Sequence, residues 1–239
     1  MTDAHCHVTG GDPSVREFLI GRDFIGVHPW EAGKLSPEDI RRETEDLESR
    51  LSSPVSSPSP LLGVGEIGLD RLKDRNISPR MREMFEAQLK LALEFHRPVV
   101  LHGAKCWGQV VKTVREDVEN RCRCRKKTDI HSTSTPRPYT FLFHGFSRSD
   151  GLIPDIVALN GYISVGPAIL NDHAVNYREL VKKIPSDRLL LETDRTAENA
   201  AECPSIRDVA AAVATYRDMS FAELERITDE NAERFLNLI

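Results

Sequence analysis

The 239-residue sequence predicts a parallel α/β fold, closed as a TIM-like (β/α) barrel in a single domain spanning 1–239. Three observations predict it. Short apolar runs rich in branched residues alternate with helix-like stretches, an ionisable residue stands where most of these runs stop, and no linker divides the chain into two cores. Alternating strands and helices imply a parallel sheet covered on both faces. In a closed α/β barrel the C-terminal strand ends share one face, so residues remote in sequence meet there.

Composition agrees and narrows the function. Hydrophobic residues are 40% and charged residues 29%, as in ordinary folded domains. With 32 Lys+Arg against 37 Asp+Glu the formal charge is −5, so no global positive field draws the chain to nucleic acid or anionic lipid, and any phosphate chemistry needs local positive charge. No apolar run approaches the roughly 18 residues of a membrane span. Met1 to His5 has neither a basic nor an apolar signal region, and five scattered cysteines suit reduced thiols. The expectation is a cytoplasmic protein with no membrane association and no obligatory protein partner.

In chain order the strands are expected at Thr2 to His7, Phe24 to Val27, Leu61 to Ile67, Pro98 to His102, Tyr139 to His144, Gly161 to Val165 and Arg188 to Thr193. The clearest helix starts at Ser78 and Pro79, with Met81, Met84, Phe85, Gln88, Ala92 and Phe95 three or four apart. Ser220 and Glu223 predict a reciprocal cap for a C-terminal helix carrying Leu224, Ile227, Ala232 and Phe235. Two surface insertions interrupt this rhythm, a Ser/Pro stretch at about 52–60 and a basic stretch at about 121–138. The cluster Arg121 to Lys127 reads either as a solvated face or as a contact to nucleic acid backbone. Cys122-Arg123-Cys124 lacks the spacing of a zinc site.

Asp3-Ala4-His5-Cys6-His7 closes the first strand, and alternation turns His5 and His7 to one face. By itself the pair fits metal ligands and buried, hydrogen-bonded histidines equally well. The other strand ends add His28, Glu66, Asp70, His102, His144, Glu192 and Asp194, so that five of the eight histidines are strand-terminal. Four histidines with Glu66 and Asp194 suit a two-metal hydrolytic site bridged by a carboxylate. Such a site also supplies the positive charge that the composition lacks. Trp30 and Trp107 follow these motifs and read as rim packing or as platforms for a base.

The ordered series Asp3-x-His5-x-His7, Gly26-Val27-His28-Pro29, Gly65-Glu66-Ile67-Gly68-Leu69-Asp70, Pro98 to His102, Phe143-His144-Gly145-Phe146-Ser147, Ile163 to Gly166, Leu191-Glu192-Thr193-Asp194 and Asn231 to Phe235 resembles the TatD family of metal-dependent hydrolases over nearly the whole chain. The resemblance implies two divalent ions, Zn, Mg or Mn, one held by His5, His7, Glu66 and Asp194 and the other by Glu66, His102 and His144. It makes Glu66 the bridge and Asp194 the group that orients or deprotonates the attacking water, and it puts His28 beside the substrate phosphate. Glu192 and Asp70 would orient imidazoles, or serve as ion pair and strand-end cap. The implied reaction is phosphodiester hydrolysis in DNA or oligonucleotides, exonucleolytic in some members.

The chain departs from the family twice. Gly103-Ala104-Lys105 replaces a Ser-Arg pair after His102, so Lys105 restores charge without the guanidinium fork. Arg195-Thr196 replaces a small residue and proline after Asp194, making Arg195 a second candidate phosphate cation or a solvated loop residue. These departures leave two alternatives, a hydrolase of a small phosphoester, lactone or amide, and a non-catalytic barrel used for binding. Finally, His7 and His28 are 21 positions apart, room for one helix and its turns, since a complete strand–helix–strand unit takes about 30 residues. The expectation is therefore a distorted barrel of seven strands, one βα unit short near the N-terminus.

Overall fold

The computed structural model describes residues 1–52, 61–128 and 139–238, and all seven apolar runs contain a strand. The strands are β1 (Thr2–Cys6), β2 (Arg16–Leu19), β3 (Phe24–Ile25), β4 (Gly63–Asp70), β5 (Val99–Ala104), β6 (Phe141–Phe143), β7 (Gly161–Val165) and β8 (Leu189–Leu191). The helices are α1 (Pro29–Ala32), α2 (Pro37–Ser52), α3 (Pro79–Glu94), α4 (Trp107–Thr128), α5 (Ile153–Ala158), α6 (Val175–Lys183), α7 (Ile206–Tyr216) and α8 (Phe221–Phe235). All pairings are parallel: β1 with β2, and β3 to β8 in chain order. The two sheets meet at their edges. Asp194 N–H donates to the His5 carbonyl at 3.0 Å and His7 N–H to that of Arg195 at 2.8 Å, while Ile20 bridges to Phe24 on the other side.

The strand count corrects the expectation of seven. The eighth, β2, has only Phe18 buried among its four residues, too short and polar a run to show as a strand in the sequence. What the interval between His7 and His28 lacks is helices, not a strand. Residues 7–15 cross from β1 to β2 without one, held by Glu17, whose carboxylate accepts from Thr9 Oγ1 at 2.5 Å and Gly10 N–H at 2.6 Å. Ile20–Asp23 then turn directly into β3, with the Asp23 carboxylate accepting from Leu19 N–H at 2.9 Å.

The core divides by strand parity. Val99, Leu101, Phe141, Phe143, Ile163, Val165, Leu189 and Leu191 pack outward with the helices. The alternate residues Val100, Leu142, Tyr162 and Leu190 meet Ala4, Phe18, Phe24 and Phe235 in a separate cluster. Alternate side chains of four neighbouring strands can share a cluster only inside a curved sheet, so this is the barrel interior, plugged from below by α8. Two residues further along the same inward series stand His102, His144, Ser164 and Glu192, one layer above the plug.

The helix starts follow the sequence, with one difference. Ser78 caps α3 by accepting from Met81 N–H, with Pro79 as the first helical residue. At α8 only half of the expected reciprocal cap forms, Ser220 accepting from Glu223 N–H. The complete box lies at the start of α7, where Ser205 and Asp208 bond each other's backbone. The Ser/Pro stretch beyond Ser52 and residues 129–138 lie outside the described residues, whereas Arg121 to Thr128 end α4. Arg121 donates to the Lys90 carbonyl and Glu94 carboxylate of α3, and Arg123 to Glu119. At 1.5 Å per residue Arg121 is about 20 Å along the axis from Trp107, so this basic end points away from the strand ends that carry the ionisable residues.

Candidate metal centre

Glu66 is the organising side chain. The β4–β5 register shifts between Val64 and Ile67, and such an irregularity re-aims a side chain. Gly65 faces the interior so closely that a Cβ there would stand 2.6 Å from Val100 Cβ, and a Cβ on Gly68, at φ +149°, would stand 2.0 Å from the His102 carbonyl oxygen. The two glycines of the Gly-Glu-Ile-Gly-Leu-Asp motif thus let β4 lie against β5 while the Glu66 carboxylate, 3% exposed, enters the barrel.

Its two oxygens face different partners. Oε2 lies 3.5 Å from His5 Nε2 and 3.6 Å from His7 Nε2. Oε1 lies 2.6 Å from His102 Nδ1, 2.6 Å from His144 Nε2 and 3.6 Å from His28 Nε2. Asp194 Oδ1 completes the first side, 3.5 Å from His5 Nε2 and 3.6 Å from His7 Nε2. Three overlapping groups therefore have ligand atoms within 4.8 Å of one another: His5, Glu66 and His144; His5, His7 and Asp194; His28, Glu66 and His102.

The residues fit divalent cations. Both ring nitrogens of His5 and Nδ1 of His144 are buried without a hydrogen-bond partner, a costly state for an imidazole unless another ligand completes it. The donors are imidazoles and carboxylates, which suit Zn, Mn and related ions. Asp194 has φ +48°, a left-handed backbone that strains a non-glycine residue and is characteristic of functional sites.

A surrounding layer holds these groups. His102 Nε2 lies 2.8 Å from Asp70 Oδ2, and Asp70 Oδ1 accepts from Leu72 N–H at 2.6 Å, so Asp70 both orients the imidazole and caps its strand end. Glu192 Oε2 lies 3.7 Å from His144 Nδ1 and accepts from Ser164 Oγ at 2.5 Å, while Oε1 accepts from Gly145 N–H at 2.7 Å. Asp3 accepts from both Thr193 N–H and Thr193 Oγ1, at 3.0 and 2.6 Å, which anchors the residue before Asp194. Gln88 bonds both backbone groups of Val27 and sets the segment leading to His28.

The electrostatics follow. Burial alone would raise the Glu66 carboxyl, but His144, His102 and His28 outweigh it and hold it well below the ordinary range. Burial likewise opposes charge on His144 and His102, yet the carboxylates of Glu66 and Glu192 raise the first well above its ordinary value, and Asp70 and Glu66 raise the second. Asp70, despite its burial, is drawn down to about 2 by His102. On the other side burial, with His5 adjacent, lowers His7.

All six expected metal ligands converge, and His28 joins them, its Nδ1 accepting from Trp30 N–H at the start of α1. Lys105 lines the open cleft above, about 740 Å³, together with His102, His144 and Asp194. Arg195 does not reach it. Its guanidinium donates to the Ala200 and Cys203 carbonyls and lines a separate small cleft beside Asp3 and Glu17, so its role is to tie the loop after β8. Trp107 takes the packing alternative, being buried against Phe143 and Phe146. Trp30 stays at the rim, its ring edge-on to His28 and capped by Lys73 Nζ at 3.5 Å. Two neighbours of the site escaped the sequence reading. Ser164 was legible as the one polar, inward residue of β7. Arg148, on the wall of the cleft, had no periodicity to mark it.

A family model described as TatD related DNase matches residues 21–237. The uncharacterized metal-dependent hydrolase YabD of Bacillus subtilis (strain 168) is 27% identical over 223 residues, covering 90% of this chain and 76% of that protein. The 3'-5' ssDNA/RNA exonuclease TatD of Edwardsiella piscicida is 24% identical over 221 residues, covering 87% and 78%. The crystal structure of YjjV, a TatD homolog from Escherichia coli K12, superposes with a TM-score of 0.74 at 22% identity over 99% of this chain and 98% of that one, which shows a shared fold. No helix among the described residues is long and apolar enough to cross a membrane.

Proposed function

The chain belongs to the TatD related DNase family of metal-dependent hydrolases, and from that premise we propose that it is a cytoplasmic phosphodiesterase that cleaves DNA or short oligonucleotides with two divalent ions. The observation that carries this reading is the orientation of Glu66. One carboxylate oxygen faces His5 and His7, the other His102 and His144, as a bridging ligand requires. The first ion would be held by His5, His7, Glu66 and Asp194, the second by Glu66, His102 and His144. The bound ions supply Lewis acidity toward a phosphoryl oxygen and acidify water near neutral pH.

The side chains do the rest. Asp194 Oδ1 orients the attacking water and accepts its proton. Glu192 and Asp70 fix the rings of His144 and His102, so that their ligating nitrogens face Glu66. His28 and Lys105 bind the phosphate undergoing attack, Lys105 as a point charge and not as a fork. The apolar cluster of Val100, Leu142, Tyr162, Leu190 and Phe235 below the site keeps water from the carboxylates on that side. The relative named an exonuclease acts on single-stranded DNA and RNA, which makes single strands the first substrates to try.

The test is a panel of phosphodiester, phosphomonoester, lactone and amide substrates with Mg²⁺, Mn²⁺ and Zn²⁺. Cleavage of oligonucleotides and of bis(p-nitrophenyl) phosphate is expected. Turnover of a lactone or amide with no phosphodiester cleavage overturns the reading, and a protein that neither retains metal nor turns over any of them is a binding barrel.

A further inference from the structure

Resting on that reading, we propose that Arg148 grips the phosphate next to the one being cleaved, and that the cleft beyond it takes the adjoining nucleoside, so that the protein acts on a polynucleotide strand in preference to a small phosphodiester. Two clefts lie side by side at the strand ends. The first holds His102, His144, Asp194 and Lys105. The second, about 780 Å³, is lined by Ala168, Val175, Tyr177 and Leu180 among others, and the two share Ser147 and Arg148 as a common wall. Arg148, an exposed residue, therefore lines both the cleft of the candidate metal centre and the space beyond.

Its backbone makes the case independently. Lys105 has φ +57° and Arg148 φ +58°. Each follows a proposed ligand on adjacent strands, Lys105 three residues after His102 and Arg148 four after His144. A glycine would hold either turn without strain, so what the cation contributes is its side chain. Neither side chain forms a hydrogen bond or ion pair with the described residues, whereas the other charges of the second cleft are compensated: Lys183 meets Asp150 at 2.5 Å and Glu179 meets Lys182 at 2.8 Å. An unpaired, fork-shaped donor on a strained turn beside a hydrolytic site suits a phosphate oxygen pair. The second cleft offers Val175, 60% exposed, with Ala168 and the Tyr177 ring, surfaces suited to a sugar and a base, beside the paired Asp150, Lys183 and Glu179.

The test compares wild type with Arg148→Gly, which relieves the strained turn and so leaves the melting temperature unchanged or higher. Four probes are used: bis(p-nitrophenyl) phosphate, thymidine dinucleotide, single-stranded dT8, and binding of fluorescein-labelled dT8 in excess chelator read by anisotropy. Thymidine dinucleotide has one phosphodiester and no neighbouring phosphate. The expected result is that kcat/KM on dT8 falls about tenfold while the two short substrates stay within about twofold, and that the salt slope of dT8 binding falls by about 0.7, the share of one phosphate on a single strand. Equal dT8 cleavage and binding by both proteins, or equal losses on all substrates, overturns the inference alone. A wild type that hydrolyses bis(p-nitrophenyl) phosphate but neither binds nor cuts dT8 overturns the nuclease reading and this inference with it.

Discussion

Glu66 Oε1 and His144 Nε2 stand 2.6 Å apart although β4 and β6 are not neighbours in the sheet. The contact passes over β5, whose His102 reaches the same oxygen at 2.6 Å, and it makes that one oxygen the meeting point of three strands.

Replacing that carboxylate should therefore empty both proposed metal positions together. Glu66→Ala is expected to lower activity by more than the roughly 10–100-fold that follows loss of an outer partner. Bound metal, measured by elemental analysis after gel filtration, should drop to background. A variant that keeps two ions per chain rules out the bridge.

Glu192 acts through His144, being fixed by Ser164 and Gly145. Glu192→Gln keeps the shape but removes the charge that supports the imidazole, and should weaken metal affinity by about 10–100-fold, read by chelator competition. Ser164→Ala, which frees one oxygen of Glu192, should show a smaller loss in the same direction. Wild-type affinity in both would leave Glu192 a packing residue.

At Asp194 chemistry and backbone can be separated. Its φ of +48° is tolerated by asparagine but costs alanine about 1 kcal/mol. Asp194→Asn and Asp194→Ala should both lose at least about a hundredfold in kcat, the lower range for a removed general base. Only the alanine variant should lose stability in urea. Equal stability of the two would contradict the strained-turn account.

The pH dependence of the metal-free protein has a defined sign. His102 and His144 are raised in the fold above their ordinary 6.5 by Glu66, Glu192 and Asp70. Their contribution to stability is complete below about 6.5 and disappears as pH rises through the folded values. Asp70, held at about 2 against an ordinary 3.8, contributes above about 4 and is lost as pH falls toward 2. In chelator the contribution of these imidazoles to the melting temperature should thus decline as the pH rises above their ordinary value of 6.5. Added Mn²⁺ should stabilise most at the alkaline end, because the ligands must shed protons to bind it. A Mn²⁺ gain that is larger at about pH 6 than at about pH 9 would count against the ligand set.

Much of this was legible because strand periodicity is local. Each apolar run names its own strand, and an ionisable residue at the end of a run, such as His102 or His144, marks the strand end that carries it. Elsewhere the local signals are weak. β2 buries only Phe18, so its pairing with β1 is a tertiary fact, and the missing elements near the N-terminus proved to be helices. Arg195 looked like a site residue by adjacency, but it is tied to the Ala200 and Cys203 carbonyls.

The amino-acid order alone determined the parallel α/β architecture and placed ionisable side chains at the strand ends, since hydrophobic alternation and strand-end position are properties of short segments. Tertiary structure decided which oxygen of Glu66 faces which imidazole, how Asp70 and Glu192 orient the rings, and that Arg148 stands between two clefts. Those relations depend on register shifts, on the stagger between strands and on backbone dihedrals after β5 and β6. Such quantities are set by packing across the barrel and have no counterpart in the spacing of residues along the chain.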